Sequence, residues 1–203
     1  MPRTDQTLYR TPLSPAYWSG ARKDMGRLNI LVFAALMVAM ARALSLIPSI
    51  PIAHTRMSFG FLARALCALV CGPVVGLVYG FVEDILGFVL QPSGLFFFGY
   101  TLSTMLGMLV YALCLYRARV SMFRLLLANL IVNVAINAAL GTVWTVMMMG
   151  GNYWVLFLGS LAKNLVTIIP KSVLLYILFQ ALLPILQRMG VIPRQVSGPI
   201  HFF

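Results

Sequence analysis

The sequence predicts an all-α integral membrane protein with six transmembrane helices, and three observations predict it. Hydrophobic residues make up 61% of the chain and charged residues 9%, whereas soluble domains are about half apolar and about one quarter charged. The apolar residues form runs long enough to cross a hydrocarbon core, which takes roughly 20 helical residues. The basic residues, which give a formal net charge of +11, flank these runs. That placement is typical of topology signals and not of a nucleic-acid-binding surface.

The predicted spans follow one another between two polar tails. Their approximate ranges are 28–47, 58–71, 73–90, 95–116, 121–149 and 155–187. The second span is short and stops at the sequence CGP, and the fifth is long enough to tilt. The sixth contains Pro170 and Pro184, which predict a kink or a break.

Three regions are expected along the chain. Residues 1–27 form a basic, solvated cytoplasmic tail with an interfacial patch at Tyr17 and Trp18, residues 28–187 form the transmembrane domain, and residues 188–203 form a cytoplasmic C-terminal tail. Cytoplasmic loops carry an excess of Lys and Arg, which places both termini in the cytoplasm. The bases on that side are Arg3, Arg10, Arg22, Lys23, Arg27, Arg117, Arg119, Arg124, Arg188 and Arg194, against only Arg56 on the other.

Two adjacent carboxylates lie within an apolar run. The chain has only four acidic residues, and two of them, Glu83 and Asp84, stand in YGFVEDILGFVL. Ionisable groups at membrane depth are costly and usually functional. Neighbours on a helix point about 100° apart, so we expect one acid to face a ligand cavity and the other to pair with a base. Arg64 on the antiparallel second span is the nearest base in depth, and the sequence leaves open which acid it meets.

Basic residues outnumber the acids at this depth. They are Arg42, Arg56, Arg64, Lys163 and Lys171. A buried surplus of positive charge is unfavourable, so an anionic ligand is expected to neutralise it. A remaining carboxylate suits a ligand with paired N–H donors. The predicted ligand therefore has an anionic part and a donor-rich ring edge.

The fifth span carries further polar residues. Asn129 and Asn133 are expected to join helices, as amides do in membranes. Asn137 and Trp144 are seven residues apart, which predicts a shared helical face where a planar ligand could be stacked and hydrogen-bonded. On the first span, Ala35, Ala39 and Ala43 form a stripe that could receive another subunit.

Several classes of function lack their motifs. The sequence contains no P-loop, no cluster of histidines that would ligate a metal, and no inverted three-plus-three repeat. We therefore expect a small intramembrane binding protein that depends on an external motor. It is not expected to be an enzyme or to carry a cofactor.

One region resembles the substrate-binding S components of energy-coupling factor (ECF) vitamin transporters, most closely the folate-specific members. The matching pieces are R-x-S-F-G-F-L (Arg56–Leu62), GPVVG (Gly72–Gly76), D-x-L-G (Asp84–Gly87) and P-S-G-x-F-F-x-G-x-T-L-S (Pro92–Ser103). The resemblance implies a six-helix S-component fold in a prokaryotic plasma membrane and a vitamin site beneath the outer loop IPSIPIAHT. It also implies a transmembrane coupling subunit and two ATPases, which use ATP and dock on the A-x-x-x-A stripe.

A folate ligand fits the charge argument. We expect Asp84 to bind the pterin edge and Trp144 to stack on the pterin ring. The expected partners of the tail carboxylates are Arg42, Arg56 and Lys163, with directional hydrogen bonds from Asn137 and Asn164. Two alternatives stay open: an S component for another vitamin or a queuosine precursor, and a small integral-membrane enzyme that uses Glu83 and Asp84.

Overall fold

The computed structural model describes residues 14–47, 50–52, 55–92 and 96–193, with only the backbone for 50–52 and 55–57. Apart from one short hairpin the described chain is helical, as predicted. The helices are α1 (Pro15–Met25), α2 (Leu28–Leu46), α3 (Gly60–Leu90), α4 (Phe98–Leu115), α5 (Met122–Ile131), α6 (Gly141–Met149) and α7 (Tyr153–Arg188). Residues Val132–Leu140, between α5 and α6, form a π-helix. The hairpin pairs β1 (Ile50–Ile52) with β2 (Thr55–Met57) in antiparallel register.

Helix α3 is folded back on itself. Arg64 and Glu83 are 19 residues apart, which would separate them by about 28 Å along a straight helix. Their side chains nevertheless form an ion pair, with Nε and Oε2 2.7 Å apart. The helix therefore has a first arm, 60–71, and a second arm, 73–90, that pack side by side. Five described helical stretches are long and apolar enough to cross a membrane, and the reversal of α3 divides one of them, which yields the six predicted spans.

Gly72 makes this reversal. Its backbone has φ 78° and ψ −174°, a region that essentially only glycine occupies. A Cβ at this position would also lie 2.8 Å from Cε2 of Tyr116. Pro73 begins the second arm, a position where its missing N–H removes no helical hydrogen bond. The predicted stop at CGP is thus a turn between two packed arms.

The first arm is too short to cross a bilayer by itself. Its 12 residues rise about 18 Å, against a hydrocarbon core of about 30 Å. The β1–β2 hairpin precedes this arm in the chain, on the Gly60 side. We call this side of the bundle the hairpin end, and the opposite side, where Gly72 and α1 meet Tyr116, the α1 end.

The N-terminal tail, expected to be solvated, contains a docked helix. Tyr17 on α1 is 1% exposed and donates its hydroxyl hydrogen to the carbonyl of Ala112 at 3.0 Å. Burial raises the pKa of the Tyr17 phenol above its ordinary range, so the phenol keeps this proton. Asp24 is fully buried and accepts a hydrogen bond from the Tyr116 hydroxyl at 2.6 Å. The expected interfacial patch at Tyr17 is therefore an internal contact that holds α1 on α4.

Exposed bases are found at the α1 end. Arg22, Lys23 and Arg119 are all exposed there. This distribution agrees with the positive-inside argument, and the cytoplasmic placement of both termini stays a prediction.

The last two spans are continuous helices. Residues 122–149 form one helical rod through α5, the π-helix and α6. α7 extends over 36 residues and contains Pro170 and Pro184 without interruption, so neither proline breaks the helix. At 1.5 Å per residue α7 is about 54 Å long, which is longer than the bilayer core.

We predict that Gly72→Ala destabilises the fold. The alanine Cβ would meet the Tyr116 ring, and the backbone conformation alone costs about 1–3 kcal/mol for a residue with a side chain. Gly159→Ala is the matched control, because no atom lies within 4 Å of a Cβ there. The measurement is the thermal unfolding midpoint in detergent, and equal midpoints for the two variants would contradict the role assigned to Gly72.

Candidate functional site

Glu83 lies at the centre of an ion cluster that joins three helical segments. Its side chain is 0% exposed. Arg64, from the first arm of α3, donates Nε to Oε2 at 2.7 Å and Nη2 to Oε1 at 2.9 Å. Arg42, from α2, donates Nη2 to Oε1. The prediction that Arg64 pairs with one of the two acids is confirmed, and that acid is Glu83. Because two cations surround one anion, the cluster retains one positive charge.

Arg42 passes close to the backbone of the second arm. A Cβ on Gly87 would overlap Nη1 of Arg42, so the glycine of the D-x-L-G motif makes room for the guanidinium. Within the described residues, the buried Nε of Arg42 has no hydrogen-bond acceptor. Arg42, predicted as a ligand-binding base, is thus partly committed to Glu83 and keeps one donor for a further acceptor.

Asp84 faces a different helix from Glu83. Its Oδ2 accepts from the Thr101 hydroxyl at 2.7 Å and its Oδ1 from the Thr104 hydroxyl at 3.2 Å. Asp84 is half-buried and takes part in none of the salt bridges found in the described part of the chain. An ionised carboxylate can accept about four hydrogen bonds. Asp84 therefore has acceptor capacity left for a ligand that donates N–H groups.

Trp144 contacts α4, the helix that Asp84 also contacts. Its indole Nε1 donates to the Ser103 hydroxyl at 2.9 Å, and its ring centroid lies 5.7 Å from that of Phe97. Gly99 leaves room for the indole, because a Cβ there would be 2.6 Å from Cδ2 of Trp144. Asp84 was predicted to bind the edge of a planar ligand and Trp144 to stack on its ring. Both side chains thus contact the first two turns of α4.

The spacing argument for Asn137 does not hold in the structure. Asn137 lies in the π-helix, which takes more residues for each turn than an α-helix does. A separation of seven residues therefore does not bring Asn137 onto the face of Trp144. Asn137 is exposed, whereas Trp144 is half-buried against α4. Its role in the site stays a prediction.

Among the described side chains, neither Lys163 nor Asn164 is hydrogen-bonded to Asp84. Lys163 is exposed on α7. Asn164 donates to the carbonyl of Ser160 at 2.8 Å, a bond within its own helix. The backbone of Arg56 pairs with Pro51 in the hairpin, and its side chain lies outside the described part of the structure. Their roles in ligand binding stay predictions.

A polar network joins the fifth and sixth spans. Asn129 accepts from the Tyr111 hydroxyl at 2.7 Å and donates to the Ser172 hydroxyl at 2.9 Å. Asn133 donates to the carbonyl of Asn129 at 2.7 Å and accepts from Nζ of Lys171 at 2.9 Å. The prediction that these two asparagines join helices is confirmed. Sequence reasoning missed that Lys171 belongs to this network.

Helix α2 has one packed face and one bare face. Its buried residues include Ile30, Ala34 and Val38, and Tyr79 of α3 donates to the carbonyl of Met37 at 3.2 Å. The alanine stripe, Ala35, Ala39 and Ala43, is exposed. The stripe is therefore available to a partner, and docking there stays a prediction.

Sequence reasoning also missed the hydroxyl residues that position the site. Thr101, Ser103 and Thr104 hold Asp84 and Trp144. A signal was present, since Thr101 and Ser103 close the motif P-S-G-x-F-F-x-G-x-T-L-S. The motif did not indicate which side chains they would bind.

Comparisons with known proteins give a consistent result. A family described as "ECF transporter, substrate-specific component" matches residues 29–186. The chain is 30% identical over 152 residues to the folate transporter FolT of Clostridium novyi (strain NT), covering 75% of this chain and 88% of that one. It is 30% identical over 94 residues to FolT of Leuconostoc mesenteroides subsp. mesenteroides, covering 46% of this chain and 51% of that one. A crystal structure of FolT bound with folic acid shares the fold, with a TM-score of 0.61, 24% identity, and coverage of 70% of this chain and 86% of that one.

We predict that the two neighbouring acids differ in their effect on stability. Glu83→Gln leaves two arginines without their counter-charge, and removal of one partner of a buried ion pair costs about 3–5 kcal/mol. Asp84→Asn keeps an oxygen that accepts from the Thr101 hydroxyl, so the expected change is small. Thermal unfolding of both variants in detergent tests the contrast. A midpoint for Glu83→Gln at or above that of Asp84→Asn would contradict it.

Proposed function

The chain belongs to the family of substrate-specific components of ECF transporters, and we propose that it captures folate outside the cell. In this proposal it lies in the plasma membrane of a prokaryote and passes folate to a transmembrane coupling subunit driven by two ATPases. It binds and releases the vitamin without transforming it. The names of its relatives in Clostridium novyi and Leuconostoc mesenteroides support the choice of folate.

The observation that carries the proposal is that Asp84 and Trp144 both hydrogen-bond to hydroxyl groups in the first two turns of α4. A pterin ring presents a 2-amino group and a ring N–H side by side, and a carboxylate is the side chain that best accepts such paired donors. Asp84 is held by two neutral hydroxyls, so its charge is not neutralised by a base in the described structure. Trp144 supplies a flat aromatic surface close to the same helix.

Charge around the site supports an anionic ligand. Glu83 neutralises only one of the two arginines that surround it, and the buried Nε of Arg42 is left without an acceptor in the described residues. Folate carries two carboxylates in its glutamate tail. A dianion near these bases would lower the electrostatic cost of holding them at membrane depth.

The geometry disfavours the enzyme alternative. A shared metal or an acid–base pair would need Glu83 and Asp84 to approach one reacting group. Glu83 instead contacts Arg42 and Arg64, while Asp84 contacts α4. Within the described residues no cluster of three or more His, Cys, Asp or Glu side chains could hold a metal ion.

We predict that the purified chain binds folate and that Asp84→Asn weakens this binding at least about tenfold, the loss expected for a hydrogen bond to a charged group. Isothermal titration of both proteins in detergent measures the change. Mass spectrometry of the ligand that co-purifies with the wild type provides an independent check. If the wild type does not bind folate but binds another vitamin or a queuosine precursor, the folate assignment is wrong and the family membership is unaffected.

We predict that Ala39→Trp abolishes folate uptake by cells and leaves folate binding by the purified chain unchanged. A bulky indole on the bare face of α2 would block close approach of a partner helix. Ala162→Trp, on an exposed position of α7, is the matched control and is expected to transport normally. Loss of binding in Ala39→Trp would show that the stripe packs inside the protein.

A further inference from the structure

Lys171 places an ammonium group inside the bundle. It lies at the middle of α7, 18 residues after Tyr153 and 17 before Arg188, or roughly 26 Å from either helix end. The ammonium group is therefore far from both ends of α7. Nζ instead donates to Oδ1 of Asn133 at 2.9 Å and lies 5.9 Å from the centroid of the Phe61 ring.

No carboxylate in the described structure neutralises Lys171. Of the four acids in the chain, Asp5 lies outside the described residues and Asp24 is at the α1 end. Glu83 is held by two arginines, and Asp84 by two threonines. The ammonium group is therefore a positive charge without a counter-ion in the described structure. The Phe61 ring offsets this only in part, because a cation–π contact is weaker than an ion pair.

The position of Lys171 is fixed by its neighbours. Asn133, its acceptor, is itself held by its bond to the carbonyl of Asn129. Asn129 is anchored by Tyr111 and by Ser172, the residue after Lys171. An ammonium group has three donors, and Asn133 uses one of them. The remaining donors are available to a ligand in a site whose geometry is set before binding, which reduces the entropic cost of binding.

We propose that Lys171 binds a carboxylate of the ligand, an assignment that rests on the proposed function and deepens it. Lys171 approaches the first arm of α3 at Phe61, whereas Asp84 faces α4 from the second arm. Lys171 thus contacts the first arm of α3, Asp84 lies on the second arm, and the two groups carry opposite charges. That arrangement suits an elongated ligand with N–H donors at one end and carboxylates at the other, as in folate.

The test compares folate with its bis-amide, in which both glutamate carboxylates are neutral. In the wild type, folate is expected to bind about tenfold to a hundredfold more tightly than the bis-amide, the range for hydrogen bonds to charged groups. Lys171→Gln keeps a polar partner for Asn133 but removes the charge. This variant is expected to lose most of the preference, because its affinity for folate falls while its affinity for the bis-amide stays nearly unchanged. Isothermal titration of all four combinations gives the result.

Two controls separate binding from folding. Lys171→Arg retains a cation and is expected to retain a preference for folate. Arg119→Gln removes an exposed cation at the α1 end and is expected to match the wild type. Thermal midpoints identify any variant that does not fold, and dissociation constants are compared only for folded protein.

The outcomes distinguish this inference from the proposed function. If Lys171→Gln keeps the full preference for folate, or binds both ligands equally more weakly, the proposal that Lys171 binds a ligand carboxylate is wrong. The proposed function, folate binding, is then unaffected. If the wild type binds neither ligand, the proposed function fails and this inference fails with it.

Discussion

The rest of the structure depends on the ion cluster of Glu83, Arg42 and Arg64. A carboxylate at membrane depth must be paired or neutralised, and here two arginines from different segments converge on it. Arg64 ties the first arm of α3 to the second, and Arg42 ties α2 to the second arm. Because Glu83 points into this cluster, Asp84, about 100° further round the helix, is turned toward α4. The pairing of one acid thereby exposes the other to the site.

Small residues allow these polar contacts to form. Gly72 lets the chain reverse so that Arg64 reaches Glu83, and Gly87 lets Arg42 cross the second arm. Gly99 gives Trp144 its place beside α4. In each case the missing side chain provides room for a specific neighbour and not for a generic helix contact. The glycines of the resembling motifs therefore act through the charged and aromatic side chains that they accommodate.

Features that follow from the chemistry of single residues could be predicted from the sequence. Hydropathy predicted the six spans, the sequence CGP marked the end of the second span, and the depth of Arg64 on the antiparallel second span indicated an ion pair with one of the two acids. The docked helix α1 was missed because its inward residues, Tyr17, Ala21 and Asp24, are too few and too polar to form an apolar stripe. The π-helix was not predicted, and because it takes more residues for each turn than an α-helix, the spacing argument for Asn137 failed. Only three-dimensional packing separates Lys163, which is exposed, from Lys171, which is bonded to Asn133.

Helix α2 connects the predicted docking surface with the site. Ala43 is exposed on its outer face, and the preceding residue, Arg42, reaches inward to Glu83, next to Asp84. The other contacts of α2 are largely with α3. A partner docked on the bare face of α2 would act on α3 through the Arg42–Glu83 ion pair, whose acid is the chain neighbour of Asp84. Since the energy of an ion pair depends steeply on distance in a low-dielectric interior, a displacement of α2 would weaken this ion pair and change the electrostatic field at Asp84.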